Sequence, residues 1–404
     1  MTPTTRKALM ATAAKTALNP TNEKLWKRFL HEFRVRSDTV YLNHGSFGIA
    51  LNRVRHRRDL LLRDLETQPM DFYLRKYEPL LTRARQRLAE FLGTEAENLA
   101  FVDNATYAMN VVVNSVPLAA GDEILLTDQE YGAVKRTWEK KAKETGIKLV
   151  DVTLPDDIES KEQIVDLILS GVTPKTKLVV FSHIVSASAL ILPAKEICHA
   201  LRERGVLSCI DGPHAPLQID LKLNQLGCDF YTASLHKWLC APLGTGFLFV
   251  HTNHRETVNE PITGWGRLDK PKIAGWEEEQ IWLGTRNPTG CLAVPEAIDF
   301  FEEIGLDNVR NRMHHLASIA ERQLIDLFGT KPIARREDGW YGSMAHVPLP
   351  VGDWSGLQEE LWVQEAIEVP IWELNGRWWI RVSCHLHNTP DQIEFLKNEL
   401  RIRI

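Results

Sequence analysis

The chain has 404 residues, of which 44% are hydrophobic and 25% are charged, as in ordinary globular proteins. This length allows two domains, and a net charge of -5 gives no reason to expect a nucleic acid or an anionic membrane as a partner. No apolar run approaches the length of a membrane-spanning helix. The six cysteines form no CxxC pair, which favours reduced thiols in the cytoplasm over disulfides or a metal site, and we expect no metal.

Apolar residues recur at helical spacing in three stretches near the N-terminus. The predicted helices are Glu23 to Phe33, Asn52 to Glu66 and Pro79 to Leu92. Gly93 is placed to end the third helix as a left-handed cap. Residues 39–43 have the pattern of a strand, which leads into the segment His44-Gly-Ser-Phe-Gly48.

Short apolar strands alternate with helices between Leu99 and Pro295. The predicted strands are 99–102, 123–127, 148–152, 177–182, 206–210, 230–233 and 246–250. The predicted helices between them include 105–114, 132–145, 161–170 and 193–205. Such alternation is typical of a mostly parallel sheet covered by helices on both faces. We therefore expect an α/β fold built on a mostly parallel seven-stranded sheet.

A long helical run, Glu296 to Phe328, precedes a strand-rich C-terminal end, which predicts a smaller α+β domain. The expected division is an N-terminal arm and helix (1–40), a large α/β domain (41–295) and the small domain (296–404). Lys15 interrupts the apolar stretch of the first twenty residues, so a flexible or subunit-clasping arm is favoured over a secretory signal.

A β-hairpin is predicted at residues 369–383, with Asn375-Gly376 suited to a type I′ turn. Period-two alternation places Arg377, Trp379, Arg381 and Ser383 on one face and Trp378, Ile380 and Val382 on the other. A guanidinium on a rigid strand can bind a carboxylate through two parallel hydrogen bonds. The alternative is a solvated arginine on an edge strand, and it carries more weight for Arg377 than for Arg381.

Two chemically reactive side chains follow neighbouring strands of the predicted sheet. Asp211 follows the strand at 206–210, and Lys237, in Ser234-Leu-His-Lys237, follows the strand at 230–233. Ligands of open α/β sheets bind at the carboxyl ends of the strands. An enzyme that uses pyridoxal phosphate (PLP) needs this pair, because the lysine forms the Schiff base and the carboxylate holds the pyridinium nitrogen. Each residue alone is more often a loop lysine or a helix N-cap.

Polar residues after three other strands are expected at the same edge. Thr106 opens a helix whose N-terminus suits a phosphate, although a plain N-cap is an equal alternative. Tyr131 can stack on a flat ring, or lie at the rim or in the core. Ser186 and His214 can contact a phenolate oxygen, whereas His183 can equally be structural.

With these residues in place, the sequence resembles the class V aminotransferases of PLP fold type I, and is most similar to their isopenicillin N epimerase-like branch. The matching motifs span residues 40 to 390. They are Tyr41-Leu-Asn-His-Gly-Ser-Phe-Gly48, Asn104-Ala-Thr106, Asp128-Gln-Glu-Tyr-Gly-Ala133, Asp211-Gly-Pro-His214, Ser234-Leu-His-Lys237, Gly284-Thr-Arg-Asn-Pro-Thr289 and Arg381-Val-Ser383.

The resemblance implies a role for each matched residue. Lys237 forms the Schiff base, Asp211 pairs with the pyridinium nitrogen and Arg381 holds the substrate carboxylate. The remaining implied contacts are the phosphate (Ser234, His236, Ala105, Thr106), the ring (Tyr131) and the substrate side (Asn43, His44). Thr285 reaches the phosphate of the neighbouring subunit, which makes a homodimer the smallest active unit.

Two departures bear on the reaction. Relatives that desulfurate cysteine often carry Asn at the position of Ser186 and Gln at that of His214. They also need a nucleophilic cysteine ahead of the C-terminal arginine, yet no cysteine lies between Cys291 and Cys384. Desulfuration through a persulfide is therefore disfavoured.

Three functions remain open at this stage. Epimerisation at Cα of an amino-acid or peptide-like substrate ranks first because of the branch resemblance. A C–S lyase acting on a cysteine conjugate or sulfoxide ranks second, and a catalytically silent PLP-fold binding protein ranks third. Epimerisation needs a second proton donor on the opposite face of Cα, whereas lysis needs a leaving group on Cβ. All use the same residues.

Overall fold

The computed structural model describes residues 17–264, 275–336 and 339–404, so most of the predicted N-terminal arm lies outside the described residues. Its central sheet has seven strands in the order β2-β8-β7-β6-β5-β3-β4. The strands are β2 (Leu99–Val102), β3 (Glu123–Thr127), β4 (Lys148–Val152), β5 (Thr176–Ser182), β6 (Leu207–Asp211), β7 (Phe230–Ser234) and β8 (Gly246–Val250). All seven predicted strands are confirmed to within one residue at each end.

Most neighbours in this sheet are parallel, as expected, and β8 is antiparallel to both β2 and β7. Every residue of β2, β7 and β8 is buried, because helices cover both faces. Two apolar cores lie against the sheet. Such continuous apolar strands are what a sheet buried on two sides requires.

The helices around the sheet agree closely with the periodicity of the sequence. In the first two thirds of the chain they are α1 (Glu23–Trp26), α2 (Asn52–Thr67), α3 (Pro69–Asp71), α4 (Tyr77–Leu92), α5 (Ala105–Ser115), α6 (Gly132–Thr145), α7 (Lys161–Ser170), α8 (Ala194–Glu203) and α9 (Leu223–Leu226). Gly93 ends α4 in the left-handed conformation with φ 63°, as predicted. Among the described residues, no helix has the length and apolarity that crossing a membrane requires.

The structure corrects three of the predicted elements. The helix expected at Glu23 to Phe33 is α-helical only in α1 and continues as a 3-10 helix, Lys27–Glu32. The strand expected at 39–43 is limited to β1 (Val40–Tyr41). The long helix expected at Glu296 to Phe328 is two helices, because Gly305 between them adopts φ 93°, which a continuous helix excludes.

The remaining elements build the C-terminal region. Its helices are α10 (Trp276–Ile281), α11 (Thr289–Leu292), α12 (Val294–Ile304), α13 (Leu306–Phe328), α14 (Leu357–Glu365) and α15 (Pro390–Arg403). Its strands are β9 (Met344–Pro348), β10 (Ile367–Glu368), β11 (Ile371–Leu374) and β12 (Arg377–Ser383). Strand β12 lies between β11 and β9, antiparallel to both, and β1 pairs with β10.

The predicted hairpin is present and its alternation is confirmed. Asn375 and Gly376 have φ angles of 52° and 73°, as a type I′ turn requires. Ile380 and Val382 are fully buried in a third apolar core, together with residues of α13 and α15. Arg381 points to the opposite face of β12, toward the large sheet. The division at residues 41 and 296 stays a prediction.

Candidate active site

The carboxyl ends of β6 and β7 bring an acid and an amine to the same edge of the sheet. Asp211 is the last residue of β6 and pairs in register with Thr232 of β7. Lys237 lies three residues beyond Ser234, the end of β7, in a loop that returns to β8. The structure therefore brings Asp211 and Lys237 close enough for each to affect the pKa of the other, although no ion pair within 4.0 Å joins them among the described residues.

The amine of Lys237 contacts His214. Lys237 Nζ lies 3.3 Å from His214 Nε2, and His214 Nδ1 accepts a hydrogen bond from Trp238 Nε1–H at 3.2 Å. An indole N–H can only donate, so the neutral His214 ring carries its proton on Nε2. Nε2–H then donates to Lys237 Nζ, which accepts as an uncharged amine.

Burial favours the same state of the amine. Burial, and to a lesser extent the nearby charge of Arg381, lowers the pKa of Lys237 to about 8 against the opposing effect of Asp211. Burial also lowers the pKa of His214 well below its usual value. An amine with this pKa is partly uncharged near neutral pH, as a nucleophilic lysine must be.

Asp211 is a buried carboxyl group with one protein donor. Its Oδ1 accepts from the Thr232 hydroxyl at 2.9 Å. Burial raises its pKa to about 6, against the opposing effects of that hydrogen bond and of Lys237. A cationic group placed beside Asp211 would reverse this shift by stabilising the carboxylate.

The N-terminus of α5 faces the end of β7. The Ser234 hydroxyl accepts from the Ala105 N–H at 3.1 Å, and Asn104 caps α5 by accepting from the Tyr107 N–H at 2.9 Å. Thr106 is exposed on this first turn, and Nδ1 of His236 is buried without a protein partner. These groups can hold an anion at a positive helix end.

Arg381 is a buried cation without an acidic partner in the described part of the chain. One guanidinium nitrogen, Nη1, donates to the Ser186 carbonyl at 2.6 Å and to the Ser186 hydroxyl at 3.3 Å, and Nη2 donates to the Ser46 hydroxyl at 3.0 Å. Its Nε has no protein partner, and the group lies 5.3 Å from the ring centre of Trp372. Burial lowers its pKa to about 10.

Four other predicted residues differ widely in exposure. Tyr131, just before α6, is 53% exposed, and Thr285 is exposed in the loop that follows Gly284. Asn43 is buried and donates to Glu368 at 3.2 Å, while its own Oδ1 has no protein partner. His44 is fully buried behind the Lys237 loop. The predicted contacts of these residues with ligands stay predictions.

Glu130 is a site residue that the sequence analysis missed. Its carboxyl group accepts from the Thr127 hydroxyl at 2.5 Å, and from the Ser182 N–H at 3.1 Å and hydroxyl at 2.7 Å. It therefore fixes the loop that carries Tyr131 to the end of β5. The sequence motif predicts a role for the neighbouring Tyr131 and none for Glu130. Only the long-range contact with Ser182 shows that the Glu130 side chain points inward.

The fold and the site together define the class of protein. The family model of class-V aminotransferases matches residues 75–396. The chain belongs to this family, as the motifs predicted.

A mutant of C-DES with glycine covalently linked to its PLP cofactor superposes with a TM-score of 0.82 at 21% identity, covering 92% of this chain and 98% of that one. A complex of C-DES, a cystine C–S lyase, with cysteine persulfide gives 0.79 at 21% identity and covers 90% and 98%. The fold is therefore PLP fold type I.

Two isopenicillin N epimerases and an L-cysteine desulfhydrase are similar to this chain over most of its length. The isopenicillin N epimerase of Amycolatopsis lactamdurans is 38% identical over 390 residues, which cover 93% of this chain and 98% of that protein. The enzyme of the same name from Streptomyces clavuligerus is 34% identical over 388 residues, with 93% and 97% covered. An L-cysteine desulfhydrase of Arabidopsis thaliana is 25% identical over 402 residues, with 89% and 86% covered.

The buried carboxyl group of Glu130 predicts a pH-dependent stability. Burial raises its pKa from 4.5 to about 7, so the folded state binds its proton more tightly than the unfolded state does. Its contribution to stability is full below about pH 4.5 and is lost as the pH rises through about 7. Relative to wild type, Glu130→Gln should therefore gain on the order of 3 kcal/mol of unfolding free energy between about pH 4.5 and pH 8.

Urea unfolding at a series of pH values measures this difference. Glu139→Gln, on the exposed face of α6, is the matched control for the loss of a carboxyl group at the surface. A difference between Glu130→Gln and wild type that does not change with pH would contradict the raised pKa of Glu130.

Proposed function

We propose that this protein is a PLP-dependent enzyme that acts at Cα of an amino-acid or peptide-like substrate, with epimerisation as its reaction. The observation that carries the proposal is the buried pair of Lys237, whose amine contacts His214 and has a lowered pKa, and Asp211. Similarity to two isopenicillin N epimerases over 93% of the chain supports the choice of reaction.

The residues of the site fit the cofactor. Several buried polar atoms here lack a protein partner, among them His236 Nδ1 and Arg381 Nε, and Asp211 has a raised pKa that a cationic ring would relieve. In this proposal Lys237 would hold the aldehyde carbon, Asp211 would hold the pyridine nitrogen, and Ser186 and His214 would contact the ring oxygen. The phosphate would be held by Ser234, His236, Ala105 and Thr106, and the ring would be held by Tyr131.

When bound, PLP withdraws electrons from the Cα of an attached amino acid. Asp211 keeps the proton on the pyridine nitrogen, because a buried carboxylate next to a ring N–H⁺ is stabilised in its charged form. Lys237, whose burial lowers the pKa of its amine, would remove or return the Cα proton as a general base. His214, through Nε2–H, orients that amine.

Arg381 is proposed to bind the carboxylate of the substrate. It is held rigidly by Ser186 and Ser46, and in the described part of the chain no acid neutralises it. A buried guanidinium in this state gains most from a carboxylate that approaches in its plane. Asn43 and His44 were predicted on this side, and Asn43 Oδ1 remains available there.

The second candidate function is a C–S lyase. It is favoured by the similarity to an L-cysteine desulfhydrase and, at the level of the fold, by C-DES. Persulfide formation on the chain itself is not supported. Burial raises the pKa of Cys291 and of Cys384 to about 12, so neither thiol is a ready nucleophile. The silent-protein alternative finds no support, because Lys237, Asp211 and Arg381 are all present.

A cytoplasmic homodimer completes the proposal. Thr285 is exposed, as a residue that reaches the phosphate site of a partner must be. Phe47 and Leu243, on the two segments that frame Lys237, are 65% and 70% exposed, and a second copy would cover them. All six cysteines are buried free thiols, which suits a reducing compartment.

Incubation with candidate amino acids and peptides tests the reaction. Inversion of configuration at Cα, with incorporation of solvent deuterium and without pyruvate or ammonia, is the expected outcome for an epimerase. Release of pyruvate and ammonia from a cysteine conjugate would favour the lyase instead. Inactivity with every substrate of both types would contradict the proposal.

Arg381→Leu should weaken substrate capture while leaving bound PLP intact. Loss of a charged hydrogen-bonded pair is expected to lower kcat/KM by about ten- to a hundred-fold. Arg381→Lys should rescue this only in part, because an ammonium lacks the two-pronged geometry. Steady-state kinetics and the absorbance of the bound cofactor measure both effects.

Two variants of the same strand serve as controls. Val382→Ala, on the opposite face, should lower stability rather than affinity. Arg377→Leu, at the exposed start of β12, should leave kcat/KM unchanged. Normal kinetics in Arg381→Leu together with a loss in Arg377→Leu would show that the wrong arginine was chosen.

A further inference from the structure

Three buried histidines lie directly behind the loop that carries Lys237. They are His44, from the segment after β1, and His385 and His387, from the segment after β12. The rings of His44 and His385 stack with their centres 4.2 Å apart. His44 Nε2 lies 3.2 Å from the Lys237 carbonyl oxygen, and His385 Nε2 lies 3.1 Å from the Trp238 carbonyl oxygen.

The partners fix where the protons of these rings lie. A carbonyl oxygen can only accept, so Nε2 of both His44 and His385 carries a proton and donates it. The other nitrogen of each neutral ring then accepts. His44 Nδ1 lies 3.1 Å from His387 Nε2, and His385 Nδ1 accepts from the Leu386 N–H at 2.9 Å. Burial lowers the pKa of all three histidines, to about 4 for His385, which keeps the rings uncharged.

This arrangement favours a hydrogen-bonded cluster over a metal centre. Cys240 Sγ lies 3.6 Å from Nε2 of both His44 and His385, a spacing that three metal ligands could have. A metal ion, however, needs the lone pair of each ligating nitrogen. Both Nε2 atoms carry protons here, because each donates to a carbonyl oxygen, so neither offers a lone pair to an ion.

Three consecutive carbonyl groups of the lysine loop are fixed from outside the loop. Gly48 N–H donates to the His236 carbonyl at 3.0 Å, while His44 and His385 donate to the next two. Only glycine fits at position 48, because a Cβ there would lie 2.1 Å from the carbonyl oxygen of Lys237. The peptide groups on both sides of the Lys237 Cα are thereby held in place.

We propose that His44, His385 and His387 are positioning residues, which hold the backbone at Lys237 so that its amine meets His214 and the aldehyde of PLP. His387 keeps the proton of His44 on Nε2 by donating to Nδ1. His385 lies four residues beyond Arg381, so the same cluster ties the carboxylate-binding strand to the lysine loop. The inference rests on the proposed function of Lys237, and it assigns His44 to the lysine rather than to the substrate.

A pair of substitutions at His44 tests the proposal in the holoenzyme without substrate. The amide nitrogen of Gln lies as many bonds from Cα as Nε2 of His, so His44→Gln keeps the donor to the Lys237 carbonyl, whereas His44→Leu removes it. The pH midpoint of the absorbance of lysine-bound PLP should move by at least about half a pH unit in His44→Leu and by less than about 0.2 in His44→Gln, because this midpoint reports the surroundings of the amine.

His385→Leu and His385→Gln form a second pair, in which the Leu variant should shift the pH midpoint and the Gln variant should not. This pair tests the positioning role if His44→Leu fails to fold. His346→Leu is the packing control. His346 is equally buried and stacks on Trp379 at 4.3 Å, but its ring nitrogens have no protein partner. This variant should lose stability and keep the wild-type midpoint.

The outcomes separate this proposal from the proposed function. The positioning role would be overturned if the Leu and Gln variants of both His44 and His385 kept the wild-type pH midpoint of lysine-bound PLP. Lys237 would remain the cofactor lysine in that case. A control variant that shifts as far as His44→Leu would also overturn it, because loss of packing would then explain the shift. If wild type binds no PLP at Lys237, the proposed function itself fails.

Discussion

The site depends on keeping an amine and a carboxyl group buried at one sheet edge without letting them neutralise each other. Removal of either group from water is costly, and a direct ion pair would repay part of that cost. Instead, Lys237 is hydrogen-bonded to His214 and Asp211 to Thr232. Burial lowers the pKa of Lys237 to about 8 and raises that of Asp211 to about 6. In the proposed function, PLP would supply an aldehyde to the amine and a basic ring nitrogen to the carboxyl group.

The rest of the fold serves this separation. Adjacent parallel strands β6 and β7 end at the same edge, which places Asp211 and the lysine loop side by side. The antiparallel strand β8 lets the loop return directly past the N-terminus of α5, where the Ser234 hydroxyl meets the Ala105 N–H. The C-terminal sheet contributes a third buried charge, Arg381, from the other side. Its positive charge lowers the pKa of Lys237, so the guanidinium and the amine are electrostatically coupled.

Much of this architecture could be predicted because local patterns in the sequence determine it. The strands of the large sheet have runs of buried apolar residues, and the hairpin has an Asn-Gly turn with strict alternation, so Arg381 was correctly assigned to the face opposite Val382. Gly305 was missed because a single glycine in an amphipathic pattern is usually tolerated, and only its φ angle of 93° shows the break.

The contacts that sequence reasoning could not find are those between distant segments. Glu130 meets Ser182 across 52 positions of the chain, and His44 meets His387 across 343. Periodicity carries no information at such separations. The motifs predict His44 on the substrate side, which stays a prediction, and they gave no sign that its ring is fully buried. A motif identifies the residue type, whereas the direction of the side chain is set by tertiary packing.

Borohydride reduction of the PLP-loaded protein followed by peptide mapping, for wild type and for Lys237→Ala, tests directly whether Lys237 carries the cofactor. We expect the wild-type label on Lys237 alone and no reducible cofactor in the variant, because in the part of the chain that the structure describes Lys237 is the lysine whose amine contacts His214. A label on any other lysine of the wild-type protein, or undiminished labelling of the variant, would contradict this assignment.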